Sequence, residues 1–177
     1  MKVNVGCGRH VLEGWVNVDI QTSRQQKELK SPEIISDLRS IPLPDGCAAV
    51  VMAIHVFEHF YLWECPAVIT EWARLLRPGG QLILEMPDVV KCCKNIVNGV
   101  GLEGGGKNPH ALGLWGLYGD PRDEDPYMCH HWGWSPKTLK NFLKSYSFGE
   151  FKDEPTLWHR GGRKLRDMRV VSTKIVA

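Results

Sequence analysis

One feature constrains this chain above all others: a β-branched run ending in Gly-x-Gly, followed closely by a second run ending in an acid. Lys2-Val3-Asn4-Val5 leads into Gly6-Cys7-Gly8, and Trp15-Val16-Asn17-Val18 leads into Asp19. An α/β sheet builds a nucleoside pocket in this way. The glycines let backbone N–H groups approach a ligand, and the carboxylate can hold vicinal ribose hydroxyls. Two glycines in a turn are common, so the weight of the reading rests on further strand ends down the chain.

Short apolar runs alternate with polar or helical stretches, the pattern of a mostly parallel sheet. The runs predict strands near 2–5, 15–18, 33–36, 48–54 and 81–86. Val68, Ile69, Trp72, Leu75 and Leu76 form an apolar stripe, so a helix is expected after Cys65-Pro66 and a stop at Arg77-Pro78-Gly79-Gly80. A second helix is expected after Ser135-Pro136, with Ser135 as its N-cap. The tail predicts two strands, near 149–158 and 166–176, joined around Gly161-Gly162, so the last runs antiparallel. The expected fold is a doubly wound, Rossmann-like α/β domain over residues 1–177 with about seven strands. Residues 37–48 read as loop, and 87–134 as a long Gly-rich connection serving as lid or acceptor-binding insertion.

Composition excludes several classes. With 177 residues the chain can bury roughly 70% of its unfolded surface. A net charge of +2 gives no electrostatic footprint for nucleic acid. The apolar run Ala48 to Ile54 is too short to span a bilayer, and the early strand leaves no signal peptide. The six cysteines show no C-x-x-C pair, which suits free thiols in a reducing cytoplasm. No pattern sets an oligomeric state.

In an open parallel sheet, ligands sit beyond the carboxyl ends of the strands. There the chain places Gly6-Cys7-Gly8, Asp19, Asp37-Leu38, His55 and Pro87-Asp88. Asp19 suits a ribose diol and Asp37 an adenine amino group, although a strand-end acid also serves as a helix cap. Nicotinamide dinucleotides fit poorly. Val11 stands where a third glycine belongs, and Asp19 follows Gly8 by only 11 residues rather than roughly 20. So short a crossover leaves little room for a pyrophosphate-binding helix.

These motifs, with Ile41-Pro42-Leu43-Pro44-Asp45, His55-Val56-Phe57-Glu58-His59, Leu75-Leu76-Arg77-Pro78-Gly79-Gly80 and Glu85-Met86-Pro87-Asp88, resemble the class I S-adenosylmethionine-dependent methyltransferases. The match is to the short branch called type 11, over residues 2–88, with a looser echo from Trp132 to Thr173. The chain departs from that family in lacking a helix before the first strand and in its short first crossover. The resemblance implies S-adenosylmethionine as cofactor. It puts Gly6, Cys7 and Gly8 against the donor's methionine part, Asp19 on ribose, Asp37 and Leu38 at adenine, and His55 beside the methyl. The expected acceptor is a small molecule or a glycan intermediate, with no nucleic-acid or membrane partner. In-line positioning can supply roughly 7–11 kcal/mol of barrier reduction. A base for the acceptor is expected in His55 or His59, with His110, His130 and His131 further along.

Two alternatives stand beside this reading. His55-Val56-Phe57-Glu58-His59 also matches H-x-x-E-H, a zinc-peptidase signature, but its first histidine closes an apolar strand. No metal is therefore expected, at this motif or at Cys129-His130-His131. The other alternative is a nucleoside-binding module without a reaction. Trp115, Trp132, Trp134, Tyr118 and Tyr127 read either as a stacking surface for an acceptor or as anchors of the long connection. Arg160, Arg163, Lys164, Arg166 and Arg169 read as a basic hairpin, solvated or facing an anion.

Overall fold

A computed structural model describes residues 1–20, 31–100, 112–120, 125–158 and 165–175. Strand β1 (Lys2–Val5) pairs in parallel with β2 (Val16–Asp19) and with β4 (Ala48–Ile54), and β2 pairs with the two-residue β3 (Ile34–Ile35). Beyond β4 lie β5 (Leu76–Pro87), then β7 (Asp167–Lys174), then β6 (Phe148–Glu154), giving the order β3-β2-β1-β4-β5-β7-β6. β7 is antiparallel to both neighbours, as the tail pattern predicts. Parallel β1, β2, β4 and β5 therefore bring their carboxyl ends to one rim, and β7 brings its first residue there.

Helix α1 (Cys65–Leu75) carries Pro66 in its first turn and buries Val68, Ile69, Trp72 and Leu75 completely. Each such side chain removed from water contributes about 1.5–3 kcal/mol. The ring of Trp72 also donates from Nε1 to the Leu38 carbonyl at 3.0 Å, fixing the turn after β3. Helix α4 (Pro136–Lys144) opens on the expected cap: Ser135 Oγ accepts from the Thr138 N–H, and Thr138 Oγ1 accepts from the Ser135 N–H. Phe57, Trp72, Trp134 and Phe142 make one aromatic cluster, with Phe57 stacked on Trp134 at 5.4 Å.

Three expectations need correction. The helix stops before Arg77 as expected, but β5 starts at Leu76 rather than near 81 and includes Arg77–Gly80: Leu76 already pairs with Ala48, and the ladder resumes at Gln81 opposite Val50. The extra residues form a bulge that Gly79, at φ +71°, accommodates. The connection 87–134 is not plain loop, since it holds α2 (Val89–Val97), α3 (Leu114–Tyr118) and a 3-10 turn at Pro126–Met128. The basic tail is not a solvated hairpin where it is described, because Arg166 and Arg169 are buried and ion-paired. Gly161-Gly162, Arg160, Arg163, Lys164 and His110 lie outside the described residues.

Parallel strands usually need a dozen or more residues to cross over, commonly with a helix. Here β2 follows β1 after residues 6–15. Two buried asparagines replace what a helix would supply. Asn4 Nδ2 donates to Asn17 Oδ1 at 2.9 Å and to the His10 carbonyl at 3.0 Å. Asn17 Oδ1 takes the Leu12 N–H, and Asn17 Nδ2 returns a bond to the Leu12 carbonyl. These side chains satisfy backbone groups that a bare loop would leave unpaired.

Candidate active site

The carboxyl ends of β1, β2 and β4 enclose a cleft of about 630 Å³, within the range of pockets that hold a cofactor or metabolite. Its floor is the Gly6-Cys7-Gly8 turn. Gly6 sits at φ +66°, and a Cβ there would meet Val56 Cγ2 at 2.4 Å, so the turn admits only glycine. Asp19 Oδ2 accepts the Gly8 N–H at 2.7 Å and holds the turn closed. Asp37 lines the same cleft, but its carboxylate also grips its own turn: Oδ1 accepts from the Arg39 N–H, and the Arg39 guanidinium lies 2.6 Å from Oδ2. That bond, more than burial opposes it, holds the Asp37 carboxyl below its usual range. Arg39 reaches on to Glu64 at 2.7 Å. Asp88, another strand-end acid, caps α2 by accepting the Val90 N–H.

Cys7 is buried against the sheet. Burial, with Asp19 and Glu33 nearby, pushes its thiol up to about 12. Burial does the same for Cys65 and Cys92, whereas Cys93 and Cys129 are exposed. Alkylation with iodoacetamide at pH 8 is expected to mark Cys93 and Cys129 in the folded protein and to spare Cys7, Cys65 and Cys92. Peptide mass spectrometry reads the outcome, and rapid labelling of Cys7 would contradict this packing.

Opposite the glycine turn, His55 follows the end of β4, and its φ of +53° turns the chain into a 3-10 turn at Phe57–His59. His55 Nδ1 lies 3.0 Å from Glu58 Oε1, and its Nε2 lies 3.4 Å from Asp167 Oδ2. Burial alone would lower the His55 pKa, but the two carboxylates raise it well above its usual value. Burial likewise opposes ionisation of Glu58, and the bond to His55 overrides it, holding that carboxyl low. Asp167 is fully buried and also takes Arg166 Nε at 2.6 Å.

His59 stands at the cleft mouth. Its Nδ1 is 3.0 Å from the Cys129 carbonyl, and His130 Nδ1 is 3.0 Å from the Gly116 carbonyl. A carbonyl only accepts, so both rings carry the proton on Nδ1 and present Nε2 as a lone pair. The backbone of His131 and Trp132 docks on the Glu58 carbonyl, which sews the long connection to the turn. His131 stacks on Tyr61 at 4.0 Å. Tyr127 lines the cleft, while Trp134 is 3% exposed and belongs to the core.

The sequence reading puts Gly6, Cys7, Gly8, Asp19, Asp37, Leu38, His55 and His59 at one site, and the structure brings all eight to this cleft. It gives no sign of Asp167, which reaches His55 only through the β5–β7 register. It also misses Trp158, which lines the cleft and meets His10 edge-on at 4.7 Å. Trp158 is held there by its N–H bond to Glu85 Oε1, at 3.0 Å. The peptidase reading fails on geometry: His55 follows a strand in left-handed backbone and His59 lies in a 3-10 turn, so the two share no helix face.

The rim, the glycine turn and the antiparallel last strand define an α/β fold of the methyltransferase type. The profile of the family described as "Methyltransferase domain" matches residues 4–84. The chain shares the fold of solved SAM-dependent methyltransferases, and over residues 4–84 it carries the sequence pattern of that methyltransferase-domain family. A probable S-adenosylmethionine-dependent methyltransferase of Mycolicibacterium smegmatis is 38% identical over 52 residues. That match spans 29% of this chain and 20% of the relative, about a fifth of the latter's length. Among solved structures, a SAM-dependent methyltransferase from Archaeoglobus fulgidus has a TM-score of 0.62 at 16% identity, covering 98% of this chain and 85% of that one. A possible histamine N-methyltransferase from Thermotoga maritima has a TM-score of 0.64 at 15% identity, covering 98% and 81%. The 1,6-didemethyltoxoflavin-N1-methyltransferase of Burkholderia thailandensis, solved with its substrate and S-adenosylhomocysteine, has a TM-score of 0.60 at 12% identity, covering 99% and 71%. At these identities the solved structures speak for the fold. Among the described residues no helix is long and apolar enough to cross a membrane.

Proposed function

We propose that this chain transfers the methyl group of S-adenosylmethionine to a small-molecule or glycan-type acceptor. The observation that carries the reading is the Gly6-Cys7-Gly8 turn pinned by Asp19 at the rim where Asp37 and Leu38 also converge. In this reading the turn faces the methionine part of the donor, Asp19 takes the ribose diol, and Asp37 and Leu38 form the adenine end. The sulfonium supplies its own leaving group, so the protein's task is alignment in a site closed to water.

His55 and His59 make the acceptor side. Both ring nitrogens of His55 face carboxylates, so it is proposed to position Glu58 and the turn rather than to take a proton. His59 stands at the cleft mouth with its Nδ1 taken by the Cys129 carbonyl, on the side proposed for the acceptor. Tyr61, Tyr127 and Trp158 supply flat apolar area on which a planar ring or a sugar face can rest.

Calorimetry with S-adenosylmethionine and S-adenosylhomocysteine tests the donor half. Binding of both is expected, and Asp19→Ala is expected to weaken it roughly tenfold to a hundredfold, the scale of a lost hydrogen bond to a charged group. A wild-type protein that ignores both ligands would end the proposal. Binding without turnover on a panel of hydroxyl and amine acceptors would favour the silent module instead.

A further inference from the structure

Glu58, His59 and His130 each place one metal-ligating atom within 4.8 Å of the other two. Two features prepare them for a cation. Both histidines donate Nδ1–H to a backbone carbonyl, Cys129 for one and Gly116 for the other, which leaves Nε2 as the ligating atom and fixes each ring's orientation. Such an outer hydrogen bond is the usual support of a metal-bound imidazole. Second, Glu58 is 2% exposed, and its Oε2 is buried with no hydrogen-bond partner, while Oε1 serves His55. A buried carboxylate oxygen without a partner is expensive.

We propose that the Glu58 carboxylate, His59 Nε2 and His130 Nε2 bind a divalent first-row cation such as Zn²⁺, with an open coordination position toward the cleft. Two imidazoles and one carboxylate suit that class of ion better than Mg²⁺ or Ca²⁺. Three protein ligands and a free position are the composition of catalytic rather than structural sites. The open side follows from His59, which alone of the three lines the cleft.

The catalytic consequence rests on the methyl-transfer reading; the site itself does not. An acceptor hydroxyl that takes the open position becomes more acidic, and its proton leaves to solvent. The oxygen lone pair then forms the O–CH₃ bond as the methyl–sulfur bond breaks, and its electron pair stays on sulfur as the neutral thioether. No redox partner is needed. His59 acts there as a ligand and not as the base.

The test begins with protein stripped by a chelator and dialysed against metal-free buffer. Titration with Zn²⁺ is expected to show one equivalent bound, with elemental analysis agreeing. The melting midpoint is expected to rise by roughly 5–10 °C at a hundredfold excess over Kd. His130→Ala, and Glu58→Gln as a second variant, are expected to abolish both effects while S-adenosylhomocysteine still binds, which shows that the variants are folded. No binding at 100-fold molar excess of zinc would overturn the proposal. So would binding that persists in a His59→Ala/His130→Ala double variant. Zinc binding with no response to the methyl donor keeps the site and sinks the methyl-transfer reading. Turnover that is unchanged in chelator overturns the catalytic consequence.

Discussion

Gly6→Ala is expected to lower the unfolding free energy by about 2–5 kcal/mol and to abolish donor binding. Two independent costs add at this position. An L-residue in left-handed backbone costs roughly 1–2 kcal/mol, and Gly6 sits at φ +66°. The added Cβ would also meet Val56 Cγ2 at 2.4 Å and Cγ1 at 2.8 Å. Overpacking of that kind costs typically 1–3 kcal/mol. Val56 cannot step aside freely, because it follows His55 and precedes Phe57 of the aromatic cluster. Whatever shift relieves the clash also moves His55 relative to the glycine turn. Urea denaturation gives the stability, and calorimetry with S-adenosylhomocysteine gives the binding. A change within 0.5 kcal/mol with donor affinity intact would contradict the close approach of β1 and β4 described above.

Arg169→Met is the second large effect, a loss of about 3–5 kcal/mol. In the β5–β7 register Arg169 stands opposite Glu85, and in the β6–β7 register opposite Glu154. Its guanidinium is 3.0 Å from Glu85 Oε2, and neither residue has appreciable exposure. Removing the cation leaves a carboxylate buried in the middle of the sheet. Glu85 also accepts the Leu157 and Trp158 N–H groups, so the disturbance reaches the cleft through Trp158 and its edge contact with His10. Donor affinity should therefore fall together with stability. Adding Glu85→Gln to Arg169→Met is expected to recover part of the loss, because a neutral amide keeps an acceptor without the unpaired charge. A double variant no more stable than Arg169→Met alone would count against charge burial as the cause.

These two predictions rest on features of different legibility. Gly6 is visible in the sequence because a strand pattern ends there and the next strand ends in an acid. The same local logic gives β1 to β5, the cap at Ser135 and the stripe of α1. It also finds Asp19, Asp37 and His55, each of which is a strand-end residue, and strand ends follow from period and punctuation. Glu85–Arg169 and His55–Asp167 are not legible in this way. Both pairs are set by the antiparallel register of β7, separated from β5 by some eighty residues, and no local pattern encodes that offset. The partnering of the histidines is hidden for a related reason. Spacing suggested His55 and His59 as a pair four residues apart, whereas the turn after β4 separates them and places His59 beside His130 from the long connection. At Arg77–Gly80 the Pro-Gly-Gly run does follow the end of α1, but β5 has already begun at Leu76 and carries those residues as a bulge.

The direction of β7 carries a practical lesson for anyone trimming this chain. Because that strand runs against its neighbours, it delivers its beginning, Asp167, to the place where the others deliver their ends. The stretch that the methyltransferase profile recognises, residues 4–84, keeps the glycine turn with Asp19, Asp37 and His55. It forfeits Tyr127, His131 and Trp158 of the cleft wall, together with the Asp167 that faces His55 and the His130 beside His59. Minimal versions of this protein should be cut outside residue 175 rather than at the family's border.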